Sequence, residues 1–129
     1  MYFVVNRCVV VCGAQVTRED ASETTVVGCV FGATPHIVMI DTFELTFKPE
    51  GNYVLTFKNE DKPGAVLEVL KVLHNDSVNV ASINVARDSA PHATKAITCI
   101  SLDNNLSAKA MKMIQQLPGM TSVAKIQLN

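Results

Sequence analysis

Two hydrophobic rhythms divide the 129 residues. Up to residue 48, apolar positions come in β-branched runs or at every second place. Residues 7–16 form such a run; Val27, Cys29 and Phe31 share one face of 24–31; 36–40 is apolar throughout; and Phe43, Leu45 and Phe47 alternate with Glu44, Thr46 and Lys48. Turn clusters at 17–22 and 32–35 leave links too short for the crossover that parallel neighbours need, so the spacing predicts an antiparallel meander.

Pro49-Glu50-Gly51-Asn52 marks the change of rhythm. Tyr53, Leu55 and Phe57 alternate as a strand, and 64–74 then carries Val66, Leu67, Leu70 and Leu73 at helical spacing, which predicts that these four face the core. Two strands follow, 78–87 and 94–102, joined by a turn at Asp88-Ser89-Ala90-Pro91. A second helix over 107–117 has Ser107 as its N-cap, Ala110, Met111, Ile114 and Leu117 on its apolar stripe, and Pro118-Gly119 as its stop. The strand at 122–128 closes the order βαββαβ. The fold class is therefore α+β, with a ferredoxin-like unit over 52–129 and a strand-rich unit over 1–51.

Composition narrows the functions. The chain is 48% hydrophobic with a net charge of -1 and no basic run, so neither nucleic acid nor an anionic membrane is an expected partner. The apolar start, MYFVVNRCVVVCGA, is interrupted by Asn6-Arg7 well short of a spanning length and reads as a strand. Cys8, Cys12, Cys29 and Cys99 sit in apolar segments without CxxC spacing, so reduced core thiols in a reducing compartment are expected; a metal pair at Cys8 and Cys12 is the weaker reading. His36, His74 and His92 are scattered away from any nucleophile, giving no catalytic and no metal-site candidate, and no GxGxxG turn offers a place for NAD.

The stretch NEDKPGAVLEVLKVLHNDSVN, residues 59–79, carries the candidate chemistry. A helix N-terminus holds a carboxylate with its unpaired amides; Pro63 needs no amide partner there, and Gly64 lets a ligand come close. Asn59 and Asp61 leave the strand together and offer an amide and a carboxylate for an ammonium group, and Asn79 adds a second amide near the sheet edge. Plain capping and turn roles for Asp61, Asn59 and Asn79 explain the same residues equally simply.

NEDKPGAVLEVLKVLHNDSVNVASINVAR resembles the ACT domain, a small regulatory module that binds amino acids, and LPGMTSVAKIQL resembles its last helix exit and strand. Upstream, VVGCVFGATPHIVMIDTFELTFKPEGNYVLTFKNEDKPG is similar to the join between an intervening regulatory domain and the ACT domain in the D-3-phosphoglycerate dehydrogenase family. The resemblance implies a partial intervening domain over 1–51 and an ACT domain over 52–129. It also implies a non-catalytic region whose ACT domains pair, with L-serine or another small amino acid bound between subunits as feedback inhibitor. The ligand positions fall on Asn59 and Asp61 of one subunit and Asn79 of the other, with Lys62, Pro63 and Gly64 beside them. Many members carry His or Tyr in place of Asn59 and Arg or Gln in place of Lys62. NAD would belong to catalytic domains ahead of Met1, and the location would be cytoplasmic, or a plastid for a plant-type parent. A homodimer through the edge containing residues 53–58, or the neighbouring helix, is expected. The alternatives are the regulatory region of an iron-sulfur L-serine dehydratase and a stand-alone assembly module that binds no ligand. An RNA-binding reading of βαββαβ lacks the stacking aromatics on TKAITCISL.

Overall fold

A computed structural model describes residues 8–17 by their backbone and residues 23–128 in full. Strands β1 (Cys8–Thr17), β2 (Glu23–Phe31), β3 (Thr34–Ile40) and β4 (Phe43–Phe47) pair in that order as an antiparallel meander. The second half runs β5 (Tyr53–Glu60), α1 (Ala65–Asn75), β6 (Val80–Arg87), β7 (Lys95–Leu102), α2 (Ala108–Gln115) and β8 (Met120–Gln127). Its sheet has the order β6-β7-β5-β8, again antiparallel throughout. The ferredoxin-like α+β class holds for the second half, and the part ahead of it is strand-rich.

That strand order corrects the expected dimer edge. In the split βαβ plan the first strand fills the gap between the last two neighbours, so β5 lies inside the sheet between β7 and β8. The edges are β6 and β8, and residues 53–58 have no free side to offer a partner.

The second sheet is covered on both faces. On one, Val69, Val72 and Leu73 of α1 and Ala110 and Ile114 of α2 pack on Leu55, Phe57, Ile100 and Leu102. On the other, Ile40, Phe43, Leu45 and Phe47 of the meander pack on Val54, Ile97 and Cys99. The period-2 alternation of β5 supplies both, Leu55 and Phe57 to the helices and Val54 to the meander. The turn between the sheets is tight: Gly51 has φ +69, and a Cβ there would lie 2.5 Å from the carbonyl oxygen of Leu102.

The apolar stripe of α2 was read correctly; in α1 Leu73 and, partly, Leu70 face the core as expected, but Val69 and Val72 take the places expected of Val66 and Leu67. Ser107 caps α2, its Oγ accepting from the Ala110 amide at 3.1 Å. In α1 the sequence AVLEVLKVL is apolar at two overlapping stripes, and the sheet takes Val69, Val72 and Leu73. Leu67 is left 54% exposed. The thiol expectation fails at Cys29, which is disulfide-bonded. Cys99 is a free, buried thiol whose pKa burial pushes up to about 11. The side chains of Cys8 and Cys12, and the N-terminal residues 1–7, lie outside the described residues.

Candidate functional site

The end of β5 and the start of α1 build the site. The chain leaves the strand at Glu60, the Asp61 amide donates to the Thr94 carbonyl at 2.7 Å, and Gly64 turns into α1 with φ 88. Gly64 is the N-cap residue and no side chain caps the helix, so the first-turn amides keep no side-chain acceptor. Asp61 is therefore not a cap. Space around Gly64 is open, with nothing within 4 Å of where a Cβ would stand. A cleft of about 310 Å³ lies there, walled by Glu60, Lys62, Pro63 and Gly64, by the first turn of α1, and by residues 117–120.

Three of the expected ligand residues, Lys62, Pro63 and Gly64, line this cleft. Lys62 is ion-paired with Glu60, and that ammonium holds the Glu60 carboxyl below its ordinary range. Asn59 is only 3% exposed; its Nδ2 donates to the Glu60 carbonyl at 2.7 Å, while its Oδ1 is buried without a partner. Asp61 turns the other way, toward β6, where its Oδ2 accepts from Arg87 Nε at 2.8 Å. Asn59 and Asp61 thus diverge because the strand ends between them.

Arg87 was not foreseen as a site residue. It is a lone basic residue at the end of a strand, and only the register places it here: Asn59 pairs with Ala96, and Ala96 with Arg87, in one row across the sheet. Its side chain is 81% exposed, and Nε is engaged by Asp61. A carboxylate and a guanidinium side by side complement the ammonium and carboxylate of an amino acid, while the uncapped helix N-terminus opens into the separate cleft at Gly64.

Asn79 lies at the opposite end of the sheet. It precedes Val80, which shares a row with Leu102 and Tyr53, at the start of β5. Along β6 that is about 25 Å from Arg87. There its Nδ2 donates to Asp103 Oδ2 at 2.5 Å and its amide donates to Asn104 Oδ1 at 3.0 Å, tying the exit of α1 to the loop after β7. Within one chain it cannot meet Asp61.

Among the described residues no group of His, Cys, Asp and Glu has metal-binding geometry, and no helix is long and apolar enough to cross a membrane. Every described strand pair is antiparallel, which leaves no parallel βαβ unit to cradle a dinucleotide.

Comparison with known proteins places this geometry. A family profile described as ACT domain matches residues 53–119. The chain is similar to D-3-phosphoglycerate dehydrogenase of Methanocaldococcus jannaschii, 28% identical over 88% of this chain and 21% of that protein. It is also similar to that of Bacillus subtilis, 30% identical over 71% of this chain and 17% of that protein. A third relative is D-3-phosphoglycerate dehydrogenase 3, chloroplastic, of Arabidopsis thaliana, 27% identical over 85% of this chain and 18% of that protein. The chain spans about a fifth of the length of these relatives.

Proposed function

The chain belongs to the ACT-domain family, and from that premise we propose that it is the amino-acid-binding regulatory region of a D-3-phosphoglycerate dehydrogenase, with L-serine as the ligand and feedback inhibition as the outcome. The observation that supports the reading is the uncapped N-terminus of α1, open at Gly64, preceded three residues earlier by an Asp61 that pairs with Arg87. The ligand carboxylate takes the first-turn amides and the outer nitrogens of Arg87; its ammonium takes Asp61. Asn59 Oδ1, a buried acceptor without a donor, is a further partner for that ammonium.

Asn79 enters from a second subunit. Edge strand β6 carries Ile83 and Val85 exposed on the face that Ile100 and Thr98 share across the register. Two copies pairing β6 antiparallel about a two-fold axis at Ile83 set residue 79 of one opposite residue 87 of the other. That brings Asn79 of the partner subunit to the Asp61–Arg87 pair. Such pairing covers the apolar edge and leaves each dimer two equivalent pockets, so ligand binding biases one subunit arrangement over another. We keep the domain division at 51–52, a partial intervening domain before an ACT domain, and a cytoplasmic or plastid location as part of the same proposal.

The test is calorimetric titration of the chain with L-serine and a panel of other small amino acids, read beside the thermal midpoint. A binder at a hundredfold excess over Kd gains about 2.7 kcal/mol of stability. No heat and no thermal shift with any amino acid leaves an assembly module whose Asp61–Arg87 pair is structural.

A further inference from the structure

The two sheets do not close fully on each other. Between the meander and the face of the second sheet that it covers lies a cavity of about 310 Å³, distinct from the cleft at α1. Its floor is Val54, Ile97, Cys99 and Ala124; its roof is Val26, Ile37, Ile40 and Phe47. Ile126, about half exposed, marks where it meets solvent. Close-packed interiors leave few voids larger than a water molecule. A dry apolar cavity of roughly 150 Å³ is enough to hold benzene, and this one is about twice that size.

We propose that this cavity is a second ligand site, independent of the amino-acid pocket, and that it takes an uncharged, chiefly aliphatic molecule of about a dozen non-hydrogen atoms bearing one hydrogen-bonding end. The aliphatic body is dictated by the walls. The end is dictated by Lys58, which lines the cavity with its ammonium ion-paired to Asp41 and 5.5 Å from the Phe43 ring centroid. Because Asp41 already balances that charge, an entering carboxylate brings a second anion to one cation in a poorly solvated place, and an alcohol or carbonyl does not. Thr24, Thr56 and Ser122 supply the remaining polar surface.

The experiment titrates the whole chain with n-decanol while recording methyl NMR shifts of Val54, Ile97 and Ala124, and repeats this with decanoate and with Ala124→Phe. The proposal requires saturable shifts at the three lining methyls, at least about tenfold weaker binding of decanoate, and loss of decanol binding in Ala124→Phe. Heat denaturation of Ala124→Phe at or above the wild-type midpoint shows that the cavity was filled and the fold kept. If Ala124→Phe does not fold, Ala124→Leu serves, with at least about tenfold weaker decanol binding expected. Decanol that shifts none of the lining methyls, or binds the filled variant as well as wild type, overturns the site. Decanoate binding as tightly as decanol overturns the uncharged end. Serine binding at α1 is unaffected by either outcome.

Discussion

Asp61 does not cap α1, and among the described residues its side chain pairs with the exposed Arg87. An ion pair of that kind contributes about 0–1 kcal/mol to stability. Asp61→Ala should therefore leave the urea midpoint nearly unchanged while weakening serine binding by about 1.5–3 kcal/mol, ten- to hundredfold by calorimetry. Arg87→Lys should not preserve affinity, because an ammonium lacks the planar fork that holds Asp61 and a second carboxylate together. A different acid carries stability. Asp76 accepts from the Ser107 amide at 2.8 Å and from its hydroxyl at 2.7 Å, and these bonds hold its carboxyl below the ordinary value of 3.8. A depressed folded pKa gives stability that is present above the unfolded value and lost as pH falls through the folded one. Below about pH 4 the wild type should lose urea resistance more steeply than Asp76→Asn, which has no such proton to bind.

At the scale of elements, what was legible follows from how local the signal is. All ten segments could be read because their periods, turn residues and the Ser107 cap are contained in a few consecutive positions. The dimer edge was misplaced because strand order is a property of the sheet, and nothing local to residues 53–58 says that β7 and β8 flank them. Leu67 was misassigned because α1 has apolar residues on two stripes and the sheet chooses one. In the candidate site, Lys62, Pro63 and Gly64 share one cleft as their adjacency suggests. Arg87 joins Asp61 only through the row Asn59–Ala96–Arg87, which sequence spacing does not display. If β6 is the edge that pairs, Val85, 52% exposed, sits in the contact. Val85→Lys should give a monomeric mass by sedimentation at micromolar concentration where the wild type gives a dimer, with an unchanged circular dichroism spectrum.

At the scale of the molecule, the meander and the ACT sheet share a core. Phe47, 2% exposed, shares one buried cluster with Ile40 of its own sheet and Val54 and Cys99 of the other. Phe47→Ala should cost about 3–5 kcal/mol, and the loss should appear in one unfolding transition seen alike by probes in both halves. The larger claim is that the amino-acid pocket is made by two chains. Asp61 and Asn79 stand at opposite ends of the sheet in each chain, so a single chain cannot supply both. The direct measurement mixes Asp61→Ala with Asn79→Ala protein, demonstrates subunit exchange by native mass spectrometry, and titrates the mixture with L-serine. In a mixed dimer one pocket carries both lesions and the other carries neither, so random exchange restores about a quarter of all pockets. The account predicts that this fraction binds with wild-type affinity. Complete exchange without recovery of tight binding contradicts it and puts the pocket within one chain.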